Sequence, residues 1–176
     1  MEATQDLLWE QGYSATSPKD IMRRSGAGQG SMYHHFTNKQ ELAVVALECS
    51  AQSMRHDAEK LLATDGSAYE IATAYLRRQR DVLKGCRMGR MTFDADVLNT
   101  PELIEPVKRT FVWLLEALTV LFERGKDQGE FAADIDARNL ASLVVATVQG
   151  GYVLARATRD TDAFDAAVEG AAALLR

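Results

Sequence analysis

Cysteine is nearly absent. The chain has two in 176 residues, Cys49 and Cys86, too few and too far apart for a disulfide scaffold and in no spacing that makes a zinc finger or a redox pair. That excludes a small stapled secreted fold and points to a reducing, cytoplasmic setting. Proline is limited to three residues and glycine to 12, so the sequence is neither collagen-like nor low-complexity. Also missing is an apolar run suited to a bilayer. The longest uncharged stretch, residues 139–155, carries Asn139, Ser142, Thr147, Gln149 and the Gly150-Gly151 pair, and reads as a buried helix in a protein with no membrane partner. The N-terminus has no basic segment followed by a continuous apolar stretch, so no export signal is expected. Finally, no segment alternates with period two over the length of a strand.

What is present is helical. Apolar residues recur at spacings of three and four along most of the chain, which predicts an all-α fold. The clearest case is residues 102–126, where Phe111, Leu114, Leu115, Leu118, Leu121 and Phe122 form one stripe, with Pro101 and Pro106 in its opening segment and Gly125 and Gly129 closing it. Breaks fall near Gly12, at Gly26 to Gly28, at Thr37-Asn38, at Thr64 to Ser67 and around Gly85 to Gly89. Three helices in the first 36 residues are therefore short, and those that follow are long, the last two spanning roughly 136–158 and 162–175. The change marks a boundary near Leu47, inside a continuous helix.

A net charge of −5 gives no global attraction to a polyanion. Its distribution is uneven: from Ile21 to Gln40 there is no Asp or Glu, while Arg23, Arg24 and Lys39 are present with His34 and His35 between them. The same window carries a helix pair. Ser17 is placed to cap, Pro18 fits the first helical position and Asp20 completes a capping box. This helix runs to Ser25, and Gly26-Ala27-Gly28 turns into a second helix from Gln29 to Phe36, a unit of the length of a DNA-reading helix-turn-helix. An ordinary helical corner has the same spacing.

At 100° per residue, Met32 and Phe36 form the inner face of the second helix and His34 points away from it. Gly30 and Ser31 flank the outer face, Tyr33 lies at its edge and Gln29 in the first turn. Glutamine reads an adenine edge, serine and tyrosine bond phosphate oxygens, and glycine permits close backbone approach. Lys39 begins the next helix, where its ammonium and the free amides are placed to grip a phosphate.

Gly12-Tyr13, Thr16-Ser17, Ile21, the Gly26 to Gly28 turn, Gly30-Ser31-Met32-Tyr33-His34-His35-Phe36 and Asn38-Lys39-Gln40-Glu41-Leu42 resemble the N-terminal signature of the tetracycline-repressor (TetR) family. The resemblance covers about the first 45 residues. It implies a three-helix, helix-turn-helix DNA-binding domain over residues 1–46, its motif at about 17–36, and a ligand-binding and dimerisation domain over residues 47–176. It implies DNA contacts at Lys19, Gly28, Gln29, Gly30, Ser31, Tyr33, His34 and Lys39. Met1 stands at the apolar position that begins the second turn of the family's first helix, so the preceding turn and basic arm are not in this sequence.

The larger domain is less specific. Tyr75, Met88, Met91, Phe93 and Trp113 are candidate walls of an effector pocket, since thioethers and aromatic rings near helix breaks make adaptable apolar cavities. For each of them plain core is the more ordinary reading. Gln79 falls on the apolar face of its predicted helix with Ile71, Ala72, Tyr75 and Val82, where a buried amide needs a partner. Arg87 and Arg90 are placed to meet an acidic group. Cys86, between Lys84 and Arg87, admits a redox or electrophile sensor, while Cys49 shares a stripe with Leu42, Val45 and Ala46. The stripes Leu140, Val144, Val148, Gly151, Tyr152 and Ala155, then Phe164, Val168, Ala171, Leu174 and Leu175, are the expected interface of a homodimer built as a four-helix bundle, with intramolecular core as the alternative. The function expected is a ligand-responsive repressor released from a palindromic operator by a small, largely apolar effector. No cofactor or metal is called for. A helical enzyme is disfavoured, since no nucleophile, base and orienting group recur at a useful spacing and His34, His35 and His56 all lie in or near the DNA-reading half.

Overall fold

The computed structural model describes residues 1–28, 30 and 34–176. No strand occurs among them. The helices are α1 (Glu2–Gln11), α2 (Pro18–Ser25), α3 (Lys39–Leu62), α4 (Ala68–Arg77), α5 (Arg87–Met91), α6 (Ala95–Leu98), α7 (Pro101–Asp127), α8 (Ala137–Thr158) and α9 (Asp162–Leu174). Gly30, His34 and His35 are also helical, whereas Gln29, Ser31, Met32 and Tyr33 lie outside the described residues. The chain divides into two compact units, one of residues 1–54 and 86–110 and the other of residues 55–85 and 111–176. The divisions fall inside α3 and α7.

In the first unit, α1 ends at Gly12, whose φ of 87° suits glycine and few other residues. The Thr16 hydroxyl, buried, donates to the Gly12 carbonyl at 2.6 Å and closes the turn. Ser17 and Asp20 form the capping box that the sequence predicts: the Ser17 hydroxyl accepts from the Asp20 amide at 3.1 Å, and the Asp20 carboxylate accepts from the Ser17 amide at 3.2 Å. Hydrogen bonds from the Ser17 side chain and backbone hold the Asp20 carboxyl below its ordinary range, so the cap is ionised at neutral pH. Gly26, at φ 70°, ends α2 in the left-handed conformation. Leu7, Ile21 and Leu42 make a small core, with Met22 and Phe36 packed against it.

The segment after Gly85 differs from the expected break. Gly89 lies within α5, because the Cys86 thiol accepts from the Gly89 amide at 3.2 Å and starts the helix. Asp94 then caps α6. In the second unit, Ser67 and Glu70 cap α4, and the Glu130 carboxylate takes the Ala68 and Tyr69 amides, each at 3.0 Å. Gly125 does not close the long helix but sits inside α7, where a Cβ would lie 2.6 Å from Phe131 and 2.7 Å from Ala68. It admits close packing there.

The hairpin of α8 and α9 corrects the expected dimer surface. Val144, Val148, Gly151, Tyr152 and Ala155 of α8, and Phe164, Val168, Ala171 and Leu175 of the α9 segment, are buried within this chain, and Leu140 is half-buried. Tyr152 and Phe164 rings lie 5.0 Å apart, and a Cβ on Gly151 would meet Phe164 at 2.8 Å. These residues pack α8 on α9 within this chain, which favours the intramolecular-core alternative for all but Leu140. The opposite side of α8 is also apolar and is exposed: Leu143, Ala146, Gly150, Val153, Leu154 and Ala157. On α9, Ala166, Gly170, Ala173 and Leu174 are exposed in the same way. By length and composition, α8 also passes as a helix able to cross a membrane.

Candidate functional site

The candidate site in the first unit is assembled by two helix starts and one inward anchor. Phe36 packs on the Leu7, Ile21 and Leu42 cluster, as its angular placement predicts, and His34 is exposed. His34 and His35 meet edge to face at 4.9 Å. Gly28 and Gly30 are exposed, and a Cβ at either would have none of the described residues within 4 Å. Neither glycine is demanded by packing. Lys19 is exposed on the first turn of α2. Of the remaining expected contacts, Gln29, Ser31 and Tyr33 lie outside the described residues.

Lys39 is half-buried. Its ammonium donates to the Tyr13 carbonyl at 3.0 Å and stands 3.9 Å from the centre of the Tyr13 ring. An ammonium has three N–H donors, so with one on the carbonyl and one toward the ring, a third stays available for an anion. The start of α3 is equally fixed: Asn38 Oδ1 accepts from the Glu41 amide at 2.9 Å, and the Glu41 carboxylate accepts from the Thr37 amide at 2.7 Å. That backbone bond holds the Glu41 carboxyl below its ordinary range.

Sequence reasoning missed what holds Tyr13. The Asp94 carboxylate accepts from the Ser14 amide at 2.8 Å and from the Ser14 hydroxyl at 2.5 Å, and Asp96 accepts from the same hydroxyl at 2.9 Å. Burial, then the charges of Asp96 and Asp94, push the Tyr13 phenol above its ordinary value, so it stays neutral. The signal was available only as an acidic pair at positions 94 and 96, far away in sequence. The cationic window is partly neutralised: Arg23 pairs with Asp20 at 2.7 Å and Arg24 with Glu10 at 2.7 Å. Such exposed pairs are weak in water and yield readily to a polyanion.

The expected pocket residues are divided between the two units. Met88 and Met91 are fully buried in the first unit. Phe93, just past α5, is 79% exposed. Arg87 is spent on Asp6 at 3.2 Å and on the Trp9 ring at 4.1 Å. Tyr75, Gln79 and Trp113 belong to the second unit. There Tyr75 is buried, while Trp113 is half-buried under Arg55 at 4.9 Å. Gln79 is exposed, because α4 stops at Arg77 and the face shared with Val82 never forms. The stop comes from Arg80, whose guanidinium folds back to the carbonyls of Tyr75, Leu76 and Arg78 at 2.5, 2.7 and 2.9 Å. Cys49 and Cys86 are both half-buried free thiols. Among the described residues no group of His, Cys, Asp and Glu is placed to hold a metal ion.

A profile of the tetR family of bacterial regulatory proteins matches residues 1–46, and a profile of the tetracyclin repressor-like C-terminal domain matches residues 66–171. YxaF, a helix-turn-helix type transcriptional regulator of Bacillus subtilis, is 24% identical over 161 residues, covering 88% of this chain and 81% of its own. Among solved structures, a TetR transcriptional regulator from Chloroflexus aurantiacus superposes with a TM-score of 0.88 at 28% identity, over 98% of this chain and 91% of that one. The regulator FadR from Bacillus subtilis, in complex with stearoyl-CoA, shares the fold at a TM-score of 0.75 and 16% identity, over 99% and 94% of the two chains.

Proposed function

From the premise that the chain belongs to the TetR family of DNA-binding transcriptional regulators, we propose that it is a cytoplasmic repressor that leaves a palindromic operator when a small molecule binds its C-terminal domain. The observation that carries this reading is the surface built around residues 28–39. Its own segment carries no acidic residue, with the Glu41 carboxylate held on the Thr37 amide; it turns Gly28, Gly30 and His34 to solvent while Phe36 anchors it from below, and Lys39 stands at its edge with a donor to spare. Such a surface lies against a polyanion with backbone close to the groove wall. The DNA contacts are Lys19, Gly28, Gln29, Gly30, Ser31, Tyr33, His34 and Lys39.

One short reading helix covers too few base pairs for an operator, so two copies act together. The exposed stripe of Leu143, Ala146, Gly150, Val153, Leu154 and Ala157 on α8, with Ala166, Gly170, Ala173 and Leu174 on α9, is the homodimer surface in place of the buried stripe. Small residues let helices approach closely, and a two-fold bundle buries them reciprocally. Release by an effector requires that it bind the DNA-free conformer more tightly than the DNA-bound one. FadR, with its stearoyl-CoA, supports a small-molecule effector for this fold. The chain itself transforms no substrate under this reading.

The test is binding to duplexes from the promoter region nearest the protein's own coding sequence, over a salt series. Lys39→Ala should weaken binding and lower the slope of log K against log salt by about 0.9. Lys19→Ala should do the same. Unchanged affinity and slope in both variants would remove this surface from the DNA.

A further inference from the structure

Arg80 carries more than the end of α4. Burial pushes its guanidinium below the ordinary arginine value, and the nearby charge of Arg78 acts in the same direction. Both guanidinium groups stand against one ring, Arg78 at 4.9 Å and Arg80 at 5.3 Å from the centre of Tyr75. Arg77 beside them is neutralised by Glu169 through bonds of 2.6 and 2.5 Å. Among the described residues, neither Arg78 nor Arg80 has a carboxylate partner. The carbonyls that Arg80 holds are neutral, and its Nε is buried with no hydrogen-bond partner. Two like charges this close, one of them desolvated, are costly unless an anion compensates them.

The same residues line a groove of about 490 Å³ in the second unit, formed by Leu76, Arg77, Arg78, Gln79, Arg80 and Val82 on one side and Phe164, Asp165, Val168 and Glu169 on the other. Its size is that of a small-ligand site. With Arg77 and Glu169 cancelling, Arg78 and Arg80 face the single carboxylate of Asp165, and the groove keeps a net positive charge beside an apolar floor of Leu76, Phe164 and Val168.

We infer that this groove is the site of a carboxylate-headed amphipath, whose head lies between Arg78 and Arg80 and whose apolar part runs along Val82, Phe164 and Val168. Gln79 supplies an amide at the rim. Guanidinium groups match a carboxylate in geometry and charge, and the apolar floor separates such a ligand from free phosphate or acetate. The inference rests on the repressor reading only for its regulatory consequence, because binding is measured without DNA.

The experiment is calorimetric titration of the full chain with decanoate, and separately with decanol and acetate, which carry the tail and the head alone. Decanoate should bind at least tenfold more tightly than either, and more weakly as salt is raised. Arg78→Ala, which leaves the cap of α4 intact, should weaken decanoate about tenfold or more, as should Arg80→Gln where circular dichroism shows it folded. Decanoate that binds Arg78→Ala as well as wild type, or no better than decanol, overturns the assignment. A promoter-duplex titration run alongside keeps the two readings apart: loss of the anion site leaves DNA binding of the ligand-free protein unchanged, and failure of DNA binding leaves the decanoate result standing.

Discussion

Gly30→Ala separates fold from function, because the two respond in opposite directions. Gly30 is helical and exposed, and an added Cβ has none of the described residues within 4 Å. Within the free protein the substitution therefore meets no steric cost, and alanine is favoured over glycine in a helix by about 1 kcal/mol. For a chain of this size that raises the melting temperature by about 2–4 °C. On the operator the same methyl meets the duplex. Position 30 lies one turn before His34, on the side turned away from Phe36, and a methyl forced into a close-packed contact costs about 1–3 kcal/mol, or about 5- to 150-fold in affinity. Thermal melting and fluorescence anisotropy with a labelled promoter duplex measure the two effects on one preparation. A variant that melts higher and binds DNA as tightly as wild type would refute the close approach of this backbone to the groove, and with it the orientation proposed for the reading helix.

The two adjacent glycines of α8 make a second pair of opposites. Gly151→Ala pushes a Cβ to within 2.8 Å of Phe164 and should destabilise the chain by about 1–3 kcal/mol. Gly150→Leu, with no described residue within 4 Å, should raise the melting temperature of the dilute chain slightly, by the helix preference of about 1 kcal/mol, while altering sedimentation of the proposed dimer; an unaltered dimer would clear that face of the interface. The latch at Ser14 should respond to acid. Burial pushes the Asp94 carboxyl up, but hydrogen bonds from the Ser14 side chain and backbone and from the Val97 and Asp96 amides together outweigh it and hold the carboxyl below its ordinary value. A depressed carboxyl contributes stability that is complete above the unfolded value, about 3.9, and is lost as pH falls through the lower folded one. Asp94→Ala should therefore cost about 1 kcal/mol at pH 7 and progressively less below pH 4, and a cost constant from pH 7 to pH 3 would show that the charge is not what matters.

The parts of the fold written in local chemistry were legible in advance. Gly12 and Gly26 end α1 and α2 by conformations that glycine adopts most easily, and Ser17, Pro18 and Asp20 start α2 with a cap that needs no tertiary help. The inward turn of Phe36 followed from helical geometry alone. Four features escaped, two because a side chain makes an unusual local bond and two because long-range contacts decide them. The end of α4 carries no breaker: residues 77–80 are Arg, Arg, Gln and Arg, good helix formers, and the chain turns because the Arg80 guanidinium satisfies the last carbonyls. The cap on α5 is a cysteine, a residue outside the usual capping set. In α8 both faces are apolar, so periodicity could not tell Val144, Val148 and Tyr152, which pack on α9, from Leu143, Val153 and Leu154, which face outward. The support of Lys39 by Tyr13, and of Tyr13 and Ser14 by Asp94 and Asp96, joins residues too distant for any motif to record.

Under the proposed pairing through its outer face, the two-sided greasiness of α8 makes the amount of protein in the cell a quantity that matters. A lone copy leaves Val153 and Leu154 half wetted, at 53% and 51% exposure, so pairing is rewarded by the removal of that surface from water, and the reward follows mass action. A scarce regulator of this kind would drift toward solitary copies, each holding only half of the proposed operator. Doubling its abundance raises the paired form more than twofold while singles predominate, which makes promoter occupancy steeper in copy number than one-to-one binding allows.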